Sequence, residues 1–187
     1  MRALPLAIAL AIIAGPAAAS PLKSLYTTID LKACKQVKRH QDGGAWRCEG
    51  LPGYPVYVAE GDLRHFVSVG ADAEKRRAAK QTLGPFNSIF EHGSNRATIE
   101  WRFVRQAERQ IPYATIMRFH TSGGGRRGDV LVVSKVTERE TCHVAYIDSL
   151  ANHDAIALAR KIADSKARTF DCRNEPRAEG ETGRSPM

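Results

Sequence analysis

The clearest pattern in the chain is a strict alternation of apolar and polar residues between Ala97 and Val104. The apolar positions are Ala97, Ile99, Trp101 and Phe103. The polar positions between them are Thr98, Glu100 and Arg102. Because successive side chains of a strand point to opposite faces, this period of two predicts a β-strand with one buried face.

A second strand, Tyr113 to His120, follows a polar loop and is predicted to pair with the first as a hairpin. The expected pairs are Phe103 with Tyr113, Trp101 with Thr115, and Ile99 with Met117. This register keeps the large apolar groups on one face, and a slip by one residue would expose them. The opposite face then carries Glu100, Arg102, Arg118 and His120.

The segment from Trp46 to Gly70 predicts three short strands separated by glycine and proline turns. A first strand is expected over residues 25–32, and Asp42-Gly43-Gly44 predicts a turn before Trp46. Residues 35–39 carry three positive charges, which favours a solvated loop.

Two helices are predicted among the strands. Asp72 is a candidate N-cap for a shorter middle helix from Ala73 to about Leu83, which Gly84-Pro85 would end. Asn152 would cap a C-terminal helix from His153 to Arg168, where apolar residues recur at helical spacing. This order of elements predicts an α+β fold, a two-layer domain in which a mostly antiparallel β-sheet carries both helices on one face.

We expect the sheet and the C-terminal helix to share one hydrophobic core, because each has one apolar face. Its predicted members are Ile99, Trp101, Phe103, Met117, Phe119, Val144, Leu158 and Ile162.

The first residues have the pattern of a secretory signal peptide. Arg2 is the only charge before residue 20, an apolar run follows it, and Ala17-Ala18-Ala19 fits a cleavage site. The run is shorter than the roughly 20 residues of a spanning helix, and no transmembrane segment is predicted later in the chain. We therefore expect a signal peptide over residues 1–19 and a single domain over residues 20–173, in the periplasm or secreted. Residues 174–187 are rich in Glu, Gly, Pro and Arg, which predicts a disordered tail.

Four cysteines lie beyond the signal, and an even number in an oxidising compartment predicts two disulfides. Four cysteines allow three pairings. We favour Cys34–Cys48 and Cys142–Cys172, because each pair flanks a compact local unit.

Loss of Arg2 with the signal peptide lowers the formal net charge from +8 to +7. A basic exported protein could meet anionic partners such as cell-surface phosphates or acidic glycans. The alternative, which we favour on charge alone, is a basic surface that serves solubility.

Several segments resemble a family of small, uncharacterised exported proteins of alphaproteobacteria. They are WRCEGLPGYPVYVAEGDLRHFVSVG, AAKQTLGPFNSIF, RRGDVLVVSKV and TCHVAYIDSLANHDAIALARKIAD. The resemblance covers roughly residues 24–173 and implies one domain behind a signal peptide. It implies no activity, cofactor, substrate or site residue.

Motifs of enzyme chemistry are sparse. No Gly-x-Ser-x-Gly occurs, and the nearest approach to a catalytic pair is Ser122 with His120, for which a plain loop is the favoured interpretation. The six histidines lack metal-site spacing, so no metal and no cofactor are predicted. The glycine-rich loop 123–128 lacks the Lys-Ser/Thr of a P-loop, and no nucleic-acid-binding motif is present.

The sequence therefore predicts a non-catalytic binding or envelope-associated module of unidentified ligand, for which an anion is one candidate. Its candidate binding residues are Arg102, Arg118, Arg126 and Arg127, since guanidinium groups suit carboxylate or phosphate. The expected partner is an anionic envelope component or another envelope protein. Pairing of Glu100 with Arg118 would argue against a free site. A hydrolase-like exported enzyme and a structural accessory protein are the alternative functions.

Overall fold

The computed structural model describes residues 23–187, so the predicted signal peptide lies outside the described residues. The strands are β1 (Lys23–Asp30), β2 (Lys35–His40), β3 (Gly43–Leu51), β4 (Tyr54–Gly61), β5 (Arg64–Val69), β6 (Phe86–Ser88), β7 (Arg96–Gln106), β8 (Arg109–Gly123), β9 (Arg126–Val136), β10 (Thr141–Asp148) and β11 (Arg177–Ala178). The helix α1 is Ala155–Ile162.

The strands form two sheets where one was predicted. The larger sheet has the order β1-β7-β8-β9-β10-β11, with β6 also paired to β8, and the smaller sheet has the order β2-β3-β4-β5. The pairing of β10 with β11 is parallel, and the other pairs are antiparallel. The smaller sheet packs on one face of the larger sheet and α1 packs on the other. The mostly antiparallel α+β class is confirmed, but the domain has three layers.

Strand β9 explains the third layer. Val130 and Val132 point into the core between the two sheets, whereas Leu131 and Val133 point into the core under α1. A strand that is apolar on both faces needs cover on both faces.

The predicted β7–β8 hairpin is present, with one local change of register. Ile99 pairs with Met117 and Trp101 with Thr115, as expected. The register then shifts between Arg102 and Phe103, so that Phe103 pairs with Pro112. Such a bulge adds a residue to one strand and redirects the side chains beyond it. Tyr113 therefore joins the core under α1.

The predicted core residues divide between the two cores. Ile99, Trp101, Met117 and Phe119 are buried between the sheets. Val144 and Ile162 are buried under α1, where Leu158 packs as a partly buried residue. Phe103 is buried but belongs to neither cluster. The expectation of one shared core is therefore wrong.

The predicted middle helix is replaced by two short 3₁₀ turns, Ala73–Lys75 and Arg77–Lys80. Arg76 between them has an extended backbone, with φ −73° and ψ 158°, which interrupts the helical path. The cap is also absent: Asp72 is left-handed, with φ 52°, and makes no side-chain capping hydrogen bond. Only Ala73 and Ala78 are buried in the turns, so too little apolar surface is present to stabilise a continuous helix.

The C-terminal helix is shorter than predicted at its start and continues as a π-helical segment, Ala163–Ala167. Small residues of both segments, Ala155, Ala159, Ala163 and Ala167, pack against the sheet together with Ile162. The predicted solvated loop over residues 35–39 is the edge strand β2, whose six residues are all exposed.

The C-terminal segment also differs from the predicted disordered tail. Arg177–Ala178 forms β11 beside Ala145–Tyr146, and Ser185 is 4% exposed. The backbone N–H groups of Arg184 and Ser185 both donate to Asp148 Oδ2 at 2.8 Å. Composition missed this contact because backbone donors and one buried carboxylate hold the segment, and its apolar contribution is limited to Met187, which packs at the core between the sheets.

Both disulfides connect the cysteines that were predicted to pair. The Cα–Cα distance is 4.5 Å for Cys34–Cys48 and 5.7 Å for Cys142–Cys172. The first links Cys34, directly before β2, to β3, and the second links β10 to the segment after α1. Within residues 23–187, no helix has both the length and the apolar character required to cross a membrane.

Candidate functional site

Arg102, the first of the four predicted binding residues, lies under α1. Its side chain is 7% exposed. Nε and Nη2 donate to the two carboxylate oxygens of Asp164 at 2.9 and 2.7 Å. Burial alone would lower the pKa of Arg102, but the hydrogen bond and charge of Asp164 raise it above its ordinary value. The positive charge of Arg102 is therefore already neutralised within the fold.

A second ion pair continues the same network. Arg160 donates to the two oxygens of Glu100 at 2.7 and 3.1 Å, and Ser24 donates to Glu100 at 2.5 Å. Tyr113 donates to Asp164 at 2.6 Å. The hydrogen bond to Glu100 raises the pKa of Arg160 above its ordinary value.

We call this set the helix-sheet network. Its members are Ser24, Glu100, Arg102, Tyr113, Arg160 and Asp164. Two guanidinium groups face two carboxylates, so the network is electrically balanced and attaches α1 and the π-helical segment to β7.

Two of the other predicted arginines, Arg126 and Arg127, lie at the far end of β8 from Arg102. Arg102 is opposite Ala114, whereas Arg126 is opposite Gly123, which separates them by about 30 Å at roughly 3.3 Å per residue. Arg126 is exposed and donates to the carbonyl of Gly183 at 3.1 Å, and Arg127 is exposed beside it. The four predicted arginines therefore do not meet at one ligand.

A pair between Arg118 and Glu100, considered from the sequence, would leave no free site. That pair is not formed. Arg118 donates to Ser149 Oγ at 2.7 Å and lies 3.5 Å from Asp129 Oδ2. Its side chain is 40% exposed, on the same face of the sheet as His120.

A different set of cations does converge. The two 3₁₀ turns, the β9–β10 turn and the segment at Cys172 enclose an open groove of about 340 Å³. We call it the basic groove. Its lining residues are Asp72, Lys75, Arg76, Arg77, Arg139, Glu140, Thr141 and Cys172. Four cations and two carboxylates give this lining a formal charge of +2.

Arg76 is the most ordered cation of the basic groove. Its Nε and Nη2 donate to the carbonyl of Ala71 at 3.1 and 2.8 Å, and Nη2 also donates to the carbonyl of Glu138 at 2.8 Å. These acceptors are neutral, so they fix the guanidinium without cancelling its charge. Among the described residues Nη1 has no hydrogen-bond partner, so its two N–H groups can donate to a ligand.

The remaining cations of the groove differ in how far they are neutralised. Arg77 donates to the carbonyl of Cys172 at 2.5 Å and is paired with Glu175. Lys75 is 73% exposed, with Asp72 at 3.5 Å. In the part of the chain that the structure describes, neither Arg76 nor Arg139 has a carboxylate within ion-pair distance.

A neighbouring open groove of about 670 Å³ is a weaker candidate for an anion. It shares Arg139 with the basic groove, but its two arginines are matched by Glu138 and Glu140. Arg168 there stacks on the ring of Tyr113, with Cζ 4.2 Å from the ring centroid. This stacking and the balanced charge leave little attraction for an anion.

The sequence carried a partial signal for the basic groove. Lys75-Arg76-Arg77 is a run of three cations, which a charge scan could have selected. Arg139 is more than sixty positions later and reaches the groove only because the β9–β10 turn folds over it. No group of metal-ligating side chains occurs within residues 23–187.

The comparisons with known proteins found no relative of this chain. No protein-family model matches the chain, and neither does any curated protein or solved structure. The function is therefore argued from the geometry of the chain's own residues.

Proposed function

We propose that this protein is an exported binding module that holds a small multivalent oxyanion, carrying phosphate or carboxylate groups, in the basic groove. The observation that carries this proposal is the guanidinium of Arg76, which backbone carbonyls hold in place while its charge stays free. A fixed guanidinium loses little side-chain entropy on binding, and its fork of N–H donors suits both carboxylate and phosphate groups.

The rest of the groove supports the same ligand class. Arg139 adds a second guanidinium without a carboxylate partner, and Lys75 adds an exposed ammonium. An anion that touches all three would span separate elements of the fold and gain more than from one surface cation.

Export is part of this proposal. The signal-like residues 1–19 and the resemblance to a family of exported proteins support it, and the two disulfides are consistent with an oxidising compartment. The natural ligand would then be an anionic envelope component or an anionic segment of an envelope protein.

Calorimetric titration with pyrophosphate at low salt tests the proposal. We expect Arg76→Gln and Arg139→Gln to weaken binding by about 10- to 100-fold, since a hydrogen bond to a charged group contributes about 1.5–3 kcal/mol. Arg105→Gln is the matched control, because it removes the same charge from an exposed position outside the groove.

Equal losses in all three variants would mean that net charge and not the groove attracts the anion. Wild type without measurable binding of pyrophosphate or a tricarboxylate would overturn the proposal and favour a structural accessory role.

A further inference from the structure

The open groove of about 670 Å³ beside the basic groove has a different chemical character, and we call it the tyrosine groove. Its charged lining residues are two arginines and two glutamates, so their formal charges cancel. The apolar and aromatic residues of its lining are Tyr54, Ile111, Pro112, Tyr113 and Val136. Apolar walls with balanced charge suit an uncharged apolar group and not a second anion.

The two grooves meet at the β9–β10 turn. Arg139 and Glu140, both in this turn, line the basic groove and the tyrosine groove alike. The strands that the turn connects are neighbours in the sheet, about 4.8 Å apart. A chain that leaves the basic groove therefore has to cross only one hairpin to enter the tyrosine groove.

Hydrogen bonds hold this turn in place from both sides. Thr137 Oγ1 accepts the N–H of Arg139 at 3.2 Å and the N–H of Glu140 at 2.8 Å. Arg76 Nη2 donates to the carbonyl of Glu138 at 2.8 Å. The guanidinium that carries the proposed anion site thus also fixes a wall of the tyrosine groove. A ligand that occupies both grooves meets a preorganised surface.

Arg139 has the side chain required at a boundary between a charged and an apolar part of one ligand. Within residues 23–187 its guanidinium has no carboxylate at ion-pair distance. The methylene groups of an arginine form an apolar stem behind the charged head. The stem can contact an apolar chain while the guanidinium contacts the phosphate that carries this chain.

We propose that the ligand of the basic groove is a single-chain amphiphile, whose diphosphate head binds Arg76, Arg139 and Lys75 and whose apolar chain crosses the β9–β10 turn into the tyrosine groove. This inference rests on the function proposed above and adds the class of ligand. The apolar chain supplies affinity that a small anion lacks, about fourfold for each fully buried methylene group.

Calorimetric titration with octyl diphosphate and methyl diphosphate at low salt, at concentrations where both are monomeric, tests the inference. The two probes carry the same head and differ only in chain length. We expect octyl diphosphate to bind wild type at least about tenfold more tightly than methyl diphosphate. Arg76→Gln should weaken the binding of both probes, because it acts on the head that they share.

Ile111→Asn tests where the chain binds. Ile111 is half-buried in β8 and belongs to neither core cluster, so we expect the fold to persist, and thermal unfolding checks this. The variant should lose most of the advantage of octyl diphosphate and keep its affinity for methyl diphosphate. Val37→Asn is the matched control and should retain the advantage, because Val37 is 40% exposed on β2, outside both grooves. A full advantage in folded Ile111→Asn would overturn the inference.

Intermolecular NOEs in the wild-type complex give a readout that needs no variant. We expect NOEs from the octyl chain to the methyl groups of Ile111 and to the ring of Tyr54. A saturated complex without NOEs to either residue would overturn the inference.

The failure of this inference is distinguishable from the failure of the proposed function. If methyl diphosphate binds wild type, loses affinity in Arg76→Gln, and binds as tightly as octyl diphosphate, the amphiphile is overturned and the anion site in the basic groove stands. If neither probe binds wild type, both proposals are overturned.

Discussion

The arginines under α1 and the arginines of the basic groove have different hydrogen-bond acceptors, and this gives them opposite electrostatic roles. Arg102 is buried and faces the carboxylate of Asp164, whereas Arg76 faces the carbonyls of Ala71 and Glu138. A carboxylate partner cancels the charge, and a carbonyl partner only orients it. The number of arginines on a surface therefore says less about ligand binding than the acceptors that hold them.

Removing Arg102 should have the largest effect on stability. Arg102→Ala removes the bidentate cation partner of Asp164 and one of the two cations beside buried Glu100, and we expect a loss of about 3–5 kcal/mol in the free energy of unfolding. Urea denaturation measures it.

Arg105→Ala, an exposed change on the same strand, is the control and should cost little. A loss below about 1 kcal/mol for Arg102→Ala would mean that the helix-sheet network is not needed for stability, and the contrast with the groove would fail.

His143 is a third case, a buried base for which residues 23–187 provide no carboxylate partner. Burial lowers the pKa of His143 from 6.5 to about 3, and its Nδ1 lies 3.0 Å from the hydroxyl of Tyr146. The unfolded chain takes up a proton below about pH 6.5 but the folded protein only below about pH 3, so acid favours unfolding. Stability should fall by about 1.4 kcal/mol per pH unit between these values.

The free energy of unfolding is measured at each pH for wild type and for His143→Gln. The difference between the two is the contribution of His143. His153→Ala removes an exposed histidine and is the matched control for the loss of a histidine at a buried position. If wild type and His143→Gln lost stability in parallel from pH 6.5 to 3, the carboxylates alone would account for the acid sensitivity.

Reversing the charge of Lys75 should make the lining of the basic groove electrically neutral, as the helix-sheet network already is. Lys75→Glu changes the lining from four cations and two carboxylates to three of each. We expect pyrophosphate affinity to fall by about tenfold, with little change in stability, because Lys75 is exposed.

Lys80→Glu makes the same change of charge at an exposed position of the second 3₁₀ turn, outside the groove lining. Equal losses of affinity in both variants would show that the groove has no special role.

Added salt should affect the basic groove and the helix-sheet network differently, and this is the smallest of the expected effects on stability. Raising sodium chloride to about 0.5 M screens exposed charges, so anion binding in the groove should weaken. The melting temperature should change little, because Arg102 and Glu100 are buried. A steep fall in melting temperature with unchanged binding would reverse the assignment of the two regions.

Strand pairing and disulfides could be predicted because they depend on local alternation and on cysteine positions. The pairing of Ile99 with Met117 follows from matching apolar faces, and the bonds Cys34–Cys48 and Cys142–Cys172 follow from local units. Alternation shows which residues share a face, but it does not show what covers that face. Arg102 was therefore expected on an open surface, although α1 covers it.

Contacts between distant segments account for the rest. Arg139 lines the same groove as Arg76 only because the β9–β10 turn folds over it. The bulge at Arg102 and the backbone donors of the C-terminal segment leave no hydrophobic period in the sequence.

The most direct test is one pyrophosphate titration followed by NMR of the arginine Nε–H groups. Nε of Arg76 and Nε of Arg102 are both hydrogen-bonded, to Ala71 and to Asp164, so both signals should be protected from exchange with water. We expect the Arg76 signal to shift with saturation while the Arg102 signal stays in place. A shift of Arg102 without one of Arg76, or saturable binding that moves neither, would contradict the account.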